Sequence, residues 1–355
     1  MSELVLQDGD VLVRQVGALR RLTLNRPNAL NALTLDMAVT MTRWLREWAG
    51  DDTVGAVLID GAGERGLCAG GDLRALYDAA KSNDPLPQNF WATEYRLDVL
   101  IARYGKPVVV IMDGLTMGGG VGISAHAAHR VVAERSAVAM PEVSIGYFPD
   151  VGASFLLARA PGHVGAHLAL TGERIGAADA IYCGLADVHI AAEKLAALPE
   201  RLADCSSAPE VQASLAELST PPAPGKLAAA RQWIDSCYGA ETIEEIIAHL
   251  RKSENREARA AATTLQKMSP TSLKITLRNI RAALSFAELE DSFRQDYRIS
   301  LACIAAHDFI EGIRAAIVDK DRNPVWRPGN LEYVTPEIVA HHFRSVGALE
   351  LTFPD

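Results

Sequence analysis

The stretch PVVVIMDGLTMGGGVGISA, residues 107–125, carries the pattern that decides the fold. Its first six residues form a continuous apolar run, which predicts a buried strand over residues 107–112. The three glycines Gly118 to Gly120 predict a turn, and the residues after them predict a helix that runs to about His129. A strand, a glycine-rich loop and a helix therefore follow one another within a short segment.

The same order occurs earlier in the chain. Residues 54–59 form a short apolar run that predicts a strand, and residues 66–73 read GLCAGGDL, a second glycine-rich loop. A helix is predicted from about Asp72 to Ala80. The two loop-to-helix turns are thus alike in their surroundings.

The N-terminal part has clear patterns of both strand and helix. Alternating apolar residues predict strands over 11–16 and 19–24 around a turn at Gly17. The apolar spacing of residues 34–48 predicts an amphipathic helix, and Gly50 is a suitable stop. These elements precede the first glycine-rich loop.

The later part of the chain divides at a proline-rich stretch. Short strands are predicted at 131–133 and 137–140, and helical segments follow. The alternation of strands and helices favours an α/β body. Residues 219–225 read STPPAPG, which predicts a linker, and nearly everything beyond it has a helical pattern. We therefore predict a core over 1–220 and a helical C-terminal region over 226–355.

Composition excludes several classes of protein. Apolar residues make up 49% of the 355 residues and charged residues 22%, as in globular proteins. The net charge of −9 argues against a nucleic-acid-binding protein. No apolar run is long enough to span a bilayer and no leader pattern is found, so we expect a cytoplasmic protein without membrane association. The five cysteines are scattered without a CxxC pair, which favours reduced thiols.

The two glycine-rich loops expose backbone N–H groups that suit an anion or an oxyanion. Together they can form an oxyanion hole, although glycines in loops also simply allow tight turns. A dinucleotide-binding GxGxxG pattern is disfavoured, because Ile123 stands where the third glycine is needed. Asp72 is better placed to cap its helix than to act in catalysis.

Two acids follow the predicted strand at 137–140. Residues 139–154 read AMPEVSIGYFPDVGAS, with Glu142 directly after the strand and Asp150 in a turn rich in proline and glycine. Both are candidates for an acid, a base or a nucleophile. Spacing alone leaves open that they are surface or capping groups.

Metal and serine chemistry are disfavoured by their missing partners. His126 with His129, and His163 with His167, have helical spacing, but a third ligand and an HExxH glutamate are absent, so no metal is expected. Ser124 lies in GISAH and not in the GxSxG elbow of a serine hydrolase.

The segment LNRPNALNAL (24–33), the two glycine-rich loops and the PE segment, in this order, resemble the enoyl-CoA hydratase/isomerase (crotonase) superfamily. The resemblance implies an α/β fold with a spiral core of ββα units. It also implies that the backbone N–H groups of Gly71 and Gly119 bind the thioester oxygen. A small-molecule acyl-CoA is then the expected partner.

Within the superfamily, long fragments resemble the 3-hydroxyisobutyryl-CoA hydrolase branch. They are CAGGD (68–72), TMGGGVG (116–122), MPEVSIGYFPDVG (140–152), SPTSLKITLR (269–278) and HDFIEGIRAAIVDKDRNPVW (307–326). The branch implies hydrolysis of a short branched hydroxyacyl-CoA in valine breakdown. Glu142 would act as nucleophile or as general base, and Asp150 would orient it, the water or the substrate.

One departure from the hydratase pattern bears on the reaction. Hydratases that resemble this chain carry a catalytic glutamate where Gly122 stands here. Without that carboxylate the two-acid arrangement for adding water to a double bond is incomplete, which favours hydrolysis. The rival hypotheses are a hydratase or isomerase that uses Glu142 and Asp150, and a non-catalytic acyl-CoA-binding protein.

Binding of the CoA portion is expected, by analogy with the family, to use Arg26, Ala29, Leu30 and Lys320. Arg26 is alternatively a solvated surface charge, and Lys320 alternatively pairs with neighbouring acids. No cofactor is expected, since CoA is part of the substrate. Relatives commonly form trimers or pairs of trimers through their C-terminal helices, and this resemblance implies a homo-oligomer. Alternatively, the extended tail covers that surface.

Overall fold

The computed structural model describes residues 4–353. The chain contacts divide these residues into two compact units, and neither unit is continuous in sequence. The first unit comprises residues 4–71, 93–138 and 174–225, and the second comprises residues 72–92, 139–173 and 226–353.

The described strands form two sheets. In chain order they are β1 (Leu4–Asp8), β2 (Val11–Val16), β3 (Leu19–Leu24), β4 (Ala56–Gly61), β5 (Gly66–Cys68), β6 (Val108–Ile111), β7 (Leu115–Met117), β8 (His129–Val132), β9 (Ala137–Ala139) and β10 (Val188–His189). The large sheet has the order β1-β2-β3-β4-β6-β8-β10, and the small sheet has the order β5-β7-β9. Neighbours from β1 to β3 are antiparallel, and those from β3 to β10 are parallel.

Helices connect the strands and make up most of the second unit. In chain order the α-helices are α1 (Leu35–Ala49), α2 (Leu73–Ser82), α3 (Leu86–Ala102), α4 (Gly119–Ala125), α5 (Ala153–Ala158), α6 (Val164–Thr171), α7 (Ala177–Tyr182), α8 (Ala192–Leu195), α9 (Leu198–Ala203), α10 (Ala208–Leu218), α11 (Leu227–Tyr238), α12 (Ile243–Lys252), α13 (Arg256–Leu265), α14 (Pro270–Ala283), α15 (Leu289–Ala305), α16 (His307–Ile313) and α17 (Pro336–His341). Short 3-10 helices lie at Pro27–Ala29, Glu142–Ile145, Leu331–Tyr333 and Gly347–Leu349, and a π-helical turn lies at Arg314–Val318.

Strands of the two sheets alternate along the chain. The strands β4, β6 and β8 lie side by side in the large sheet, and each is followed by a strand of the small sheet, namely β5, β7 and β9. The next α-helix after each pair is α2, α4 and α5 respectively. The chain thus repeats a ββα unit three times, and the α/β class predicted from the sequence is confirmed.

The interior of the first unit lies on the large sheet. Leu58 on β4 pairs with Val109 on β6, and both side chains are fully buried. They belong to one cluster with Leu202 of α9 and Leu215 of α10. Burying aliphatic side chains of this size stabilises the fold by about 1.5–3 kcal/mol each. The sheet and these two helices therefore share one hydrophobic core.

Several predicted elements of the N-terminal part are confirmed with their bounds. The strands at 11–16 and 19–24 are present as predicted. Helix α1 begins after Thr34, whose side-chain oxygen accepts the N–H of Met37, and it ends before Gly50. A side-chain acceptor at the N-cap satisfies one of the helix's unpaired donors, which fixes where the helix starts.

The helix after the triple glycine is shorter than predicted. It ends at Ala125, and not at about His129. His129 begins β8 and pairs with Val109 in the parallel sheet. Pairing with a neighbouring strand overrides the weak local preference for helix, so the predicted end of this helix is wrong.

The second unit is mainly helical. Helices α5, α6 and α14 pack on one another, α11 packs on α6, α12 packs on α13, and α15 packs on α16. Phe148, Tyr238, Phe293 and Phe309 are among its fully buried side chains. A helical C-terminal region is therefore present, as the sequence predicts. Within residues 4–353, no helix combines the length and the apolar character that crossing a membrane requires.

The predicted linker coincides with a boundary between the units. Residues 221–225 contain no helix or strand, and Gly225 is the last residue of the first unit. The helical region from Lys226 onward is grouped with 72–92 and 139–173. The predicted regions 1–220 and 226–355 are continuous in sequence, whereas each compact unit combines three separate segments of the chain.

Replacing Leu58 by Ala should destabilise the protein by about 2–5 kcal/mol, because it leaves a cavity in the hydrophobic core between the large sheet and helices α9 and α10. Urea unfolding measures the change. Val39 on α1 is 50% exposed, so Val39→Ala is a matched control that should alter stability by less than about 0.5 kcal/mol. Equal effects of the two substitutions would contradict this description of the core.

Candidate active site

The two backbone donors predicted from the sequence are neighbours in the first unit. Gly71 ends the loop after β5, and Gly119 is the first residue of α4. A β-carbon placed on Gly119 would lie 3.6 Å from the amide nitrogen of Gly71. The first N–H groups of a helix have no acceptor within the helix, so the Gly119 N–H is available to a ligand. Neighbouring backbone donors of this kind suit a single oxygen that carries negative charge.

The triple glycine is a steric requirement of this arrangement. A β-carbon on Gly119 would lie 2.3 Å from a carboxylate oxygen of Glu94, and one on Gly120 would lie 2.4 Å from the carbonyl oxygen of Cys68. Gly118 has φ 50° and ψ −122°, a conformation that residues with a side chain avoid. Glycine is therefore needed here for close packing of the main chain.

Glu94 on α3 is a site residue that the sequence analysis missed. The Glu94 residue is only 2% exposed. One of its carboxylate oxygens lies 2.3 Å from the position that a β-carbon on Gly119 would take. Asp98 lies one turn further along α3 and is also buried. The sequence signal for a buried acidic pair was the spacing of Glu94 and Asp98, which lie four residues apart and so share one face of a helix. The structure shows that Tyr95 and Leu97 between them are fully buried.

Cys68 lies near these carboxylates, but its thiol is not a nucleophile. Burial above all, together with the charges of Glu94 and Asp98, raises the pKa of the Cys68 thiol to about 12. Its sulfur also lies 3.4 Å from both the N–H and the carbonyl oxygen of Gly70. Burial therefore favours the protonated thiol, which argues against attack by a thiolate.

Glu142 is a buried acid in the second unit. It begins the 3-10 helix that follows Pro141, and its side chain is 6% exposed. Among residues 4–353, Oε2 of Glu142 has no hydrogen-bond partner. Burial raises the pKa of Glu142 well above its ordinary value of 4.5, and the charge of Asp150 raises it further. A buried carboxyl with a raised pKa, next to a second acid, is a candidate catalytic acid or base.

Asp150 lies in the same unit and is also buried. The Tyr147 hydroxyl donates a hydrogen bond to its Oδ2 at 3.3 Å. The Tyr147 ring stacks on Trp91 and on Phe309, with ring centroids 5.9 Å and 4.4 Å apart. The second unit therefore brings the two predicted acids together beside an aromatic cluster.

The predicted CoA-binding residues of the first unit lie in the loop before α1. The Arg26 guanidinium donates to the carbonyl of Ala32 at 2.7 Å and lies 3.3 Å from a carboxylate oxygen of Asp10. Ala29 is exposed, and Leu30 is half-buried with a φ of 55°. Arg26 thus holds the loop in shape and is more than a solvated charge, while its role in CoA binding stays a prediction.

Lys320, the predicted CoA-binding residue of the second unit, is exposed. Its neighbours Asp319 and Asp321 both accept hydrogen bonds from Arg314, each at 2.7 Å. Both acids therefore pair with Arg314. This pairing counts against the alternative in which they pair with Lys320. Its contact with CoA stays a prediction.

Other polar residues considered in the sequence have structural partners. The Asp72 carboxylate accepts the N–H of Ala75 and caps α2, as predicted. His167 makes hydrogen bonds with Tyr238 and Glu173, both at 2.9 Å. No group of three or more potential metal ligands lies together in the part of the chain that the structure describes.

The sequence profile of the enoyl-CoA hydratase/isomerase family matches residues 19–343. The chain belongs to this family. The resemblance seen in the sequence is thereby confirmed.

Curated relatives of this family match almost the full length of the chain. A Danio rerio protein named 3-hydroxyisobutyryl-CoA hydrolase, mitochondrial, is 41% identical over 349 residues, which cover 96% of this chain and 91% of that protein. The Homo sapiens protein of the same name is 39% identical over 352 residues, with coverage of 97% and 91%.

Solved structures of the enoyl-CoA hydratase/isomerase family share the fold. A carnitinyl-CoA dehydratase from Mycobacterium thermoresistibile is 47% identical, with a TM-score of 0.93 and coverage of 98% of this chain and 99% of that chain. An enoyl-CoA hydratase from Rhodobacter sphaeroides 2.4.1 is 41% identical, with a TM-score of 0.89 and coverage of 97% and 100%. The predicted crotonase-like fold is therefore confirmed.

Gly122 stands where the resemblance to hydratases implies a glutamate, and it lies buried on α4. Helix α4 therefore supplies no carboxylate. In the first unit, a carboxylate oxygen of Glu94 on α3 lies 2.3 Å from the position that a β-carbon on Gly119 would take.

Replacing Glu142 by Gln should stabilise the protein at neutral pH. Folding raises the pKa of Glu142 above 4.5, so the folded protein binds this proton more tightly than the unfolded chain does. Stability is therefore lost as the pH rises from 4.5 through the raised pKa, and the Gln side chain removes that loss. Urea unfolding at about pH 4 and about pH 8 measures the effect.

The gain in stability should be present at the higher pH and absent at the lower one. Glu254→Gln, which changes an exposed carboxylate, is the control and should show no such difference. A gain of equal size at both pH values would mean that the Glu142 carboxylate is not destabilised in the folded protein.

Proposed function

We propose that the chain is an acyl-CoA thioester hydrolase and that its substrate is a short branched hydroxyacyl-CoA, namely 3-hydroxyisobutyryl-CoA. The products are 3-hydroxyisobutyrate and free CoA. The observation that carries the proposal is the sequence identity of about 40% to proteins named 3-hydroxyisobutyryl-CoA hydrolase, over 91% of their length. The geometry of the two units supports it independently.

The amide pair supports chemistry at a carbonyl. We assign the thioester oxygen to the N–H groups of Gly71 and Gly119. Negative charge develops on this oxygen when the carbonyl carbon is attacked, and a fixed donor aimed at it contributes about 3–4 kcal/mol to the transition state. The distance of 3.6 Å between the Gly71 amide nitrogen and a β-carbon placed on Gly119 supports this assignment.

Glu142 supplies the acid–base or nucleophilic group in this proposal. In its ionised form it attacks the carbonyl carbon and the CoA thiolate leaves, which gives a mixed anhydride that water opens to the free acid and the Glu142 carboxylate. Alternatively it removes a proton from the attacking water, the tetrahedral intermediate expels the CoA thiolate, and Glu142 passes the proton to that thiolate. Its raised pKa makes the carboxylate a stronger base than an exposed glutamate. Asp150 orients Glu142, the water or the substrate, and its charge contributes to that raised pKa.

Glu94 supports a hydroxylated acyl group. Its carboxylate lies against Gly119, so an acyl group whose oxygen is bound by the Gly119 amide meets a buried hydrogen-bond acceptor. A hydroxyl on the acyl chain can donate to this acceptor, whereas an unsubstituted chain cannot. A site built to bind a hydroxyl discriminates strongly against analogues that lack it.

The nearest rival is hydration or dehydration of an enoyl-CoA. The structures from Mycobacterium thermoresistibile and Rhodobacter sphaeroides are titled as a dehydratase and a hydratase, which favours this rival. Release of free thiol separates the two reactions, because hydration leaves the thioester intact. A thiol-detection assay with 3-hydroxyisobutyryl-CoA and crotonyl-CoA therefore tests the proposal.

The remaining proposals concern CoA binding, cofactors, the metabolic role, the location and the assembly of the enzyme. We propose that Arg26, Ala29, Leu30 and Lys320 bind the CoA portion, that the reaction needs no cofactor or metal, and that it serves valine breakdown. Cytoplasmic location stays a prediction, and the names of the curated relatives describe those proteins as mitochondrial. Assembly into a homo-oligomer stays a prediction as well.

Glu142→Gln should lower kcat for 3-hydroxyisobutyryl-CoA by about 100- to 10,000-fold, because the amide is neither a base nor a nucleophile. Binding of the product CoA, measured by calorimetry, should be unchanged because the side chain keeps its size. Turnover like that of the native enzyme would remove Glu142 from the mechanism.

Gly119→Ala should lower kcat by about 100-fold or more, because the added methyl group meets Glu94 and crowds the amide pair. Gly105→Ala is the matched control, since a β-carbon there would meet no atom within 4 Å. Steady-state thiol release measures both variants. A folded Gly119→Ala enzyme with native kcat would exclude the oxyanion role of these amides.

A further inference from the structure

A buried hydrogen-bonded network connects α15 with the segment that carries Asp150. The Asp296 carboxylate accepts the N–H of Gly152 at 2.9 Å through one oxygen and the side-chain amide of Asn279 at 3.0 Å through the other. Asp296 is 0% exposed and Asn279 is 1% exposed. Asp296 thus fixes the backbone two residues after Asp150 from inside the protein.

The backbone held in this way is strained. Val151 has a φ of 52°, in the left-handed region that β-branched residues rarely adopt, and Gly152 follows with a φ of 69°. Such a conformation persists only where surrounding contacts hold it, and strain of this kind is common at functional sites. The hydrogen bond from Gly152 to Asp296 is one such contact, directly after the strained residue.

A second route leads from α15 to the Asp150 carboxylate through two hydroxyl groups. The Tyr147 hydroxyl lies 3.3 Å from Oδ2 of Asp150 and 2.5 Å from Oγ of Ser300. The same Oγ lies 2.7 Å from the backbone carbonyl oxygen of Asp296. Both routes therefore begin at Asp296, one at its side chain and one at its backbone.

When Asp150 is ionised, the two hydroxyl protons can fill only two of these three contacts. Tyr147 then donates to the carboxylate, and Ser300 donates either to Tyr147 or to the Asp296 carbonyl. When Asp150 is protonated, it donates to Tyr147, Tyr147 donates to Ser300, and Ser300 donates to the Asp296 carbonyl. The hydroxyl pair can therefore hold Asp150 in both protonation states.

We propose that Asp296 is a positioning residue that holds Asp150 in its reactive orientation without touching the substrate. The inference rests on the proposed function, because it takes Asp150 to act at the thioester. It is consistent with the electrostatics, since burial raises the pKa of Asp296 and the charge of Asp150 raises it further, against the hydrogen bonds from Asn279 and Gly152.

An exchange of two side chains tests this role. In Asp296→Asn the new amide faces the Asn279 amide, so two donors meet and the hold on Gly152 weakens. We expect kcat for 3-hydroxyisobutyryl-CoA to fall by about 100-fold, with KM unchanged. In the double variant Asn279→Asp/Asp296→Asn, donor and acceptor change places and the Gly152 N–H keeps its acceptor. There kcat should recover to within about tenfold of the native value.

Ser292→Ala is the matched control. Ser292 is a buried residue of α15 one turn before Asp296, and its hydroxyl is hydrogen-bonded to Ser154 at 2.8 Å. Its loss should lower the stability to urea and leave kcat unchanged. A merely structural role of Asp296 would give the same result as Ser292→Ala, namely reduced stability with native kcat for the folded enzyme.

The outcomes separate the two proposals. Loss of kcat in Asp296→Asn with recovery in the double variant supports positioning, and native kcat in Asp296→Asn or no recovery in a folded double variant overturns it. If Asp296→Asn does not fold, the double variant alone decides by its kcat.

Crystal structures of the variants give a readout that does not depend on activity. If the native protein releases no thiol from hydroxyacyl-CoA esters, the proposed function fails. The structural role of Asp296 is still supported if residues 150–152 rearrange in Asp296→Asn and regain their native conformation in the double variant. If these residues are unchanged in Asp296→Asn, the positioning role is wrong whatever the activity.

Discussion

The site depends on a closely packed glycine turn that leaves no room for a side chain. A β-carbon on Gly120 would overlap the carbonyl oxygen of Cys68, and one on Gly119 would overlap the carboxylate of Glu94 and lie 3.6 Å from the Gly71 amide nitrogen. The packing of this turn against Cys68 and Glu94 thus brings Gly119 beside Gly71. Because the donors belong to the backbone of packed elements, they need no reorganisation when charge develops on a bound oxygen.

The acids of the site are kept in surroundings that oppose their ionisation. Burial raises the pKa of Glu142 and of Asp296, and the charge of Asp150 raises both further. Buried carboxylates of this kind lower the stability of the folded state unless they are protonated or hydrogen-bonded. The strained backbone at Val151 adds to that cost. Features that weaken the fold are thus concentrated where the proposed chemistry needs a basic carboxylate in a fixed place.

Much of the fold could be predicted from the sequence, because apolar periodicity and glycine turns are local signals. The strands at 11–16 and 19–24 follow from alternation, and the start of α1 follows from Thr34. The end of α4 could not be predicted, since the pairing of His129 with Val109 is a long-range contact. Helix α3 was missed for a different reason. Its buried residues include Glu94 and Asp98, so a rule that expects apolar residues in the interior fails at these positions.

The most direct test is a crystal structure with a substrate analogue in which a methylene group replaces the thioester sulfur, so that the acyl–CoA bond cannot be hydrolysed. We expect the analogue's carbonyl oxygen to lie about 3 Å from the amide nitrogens of both Gly71 and Gly119, with the Glu142 carboxylate facing the carbonyl carbon directly or through one water. A carbonyl oxygen bound away from both amides, or a Glu142 side chain that does not face the acyl group, would contradict the account.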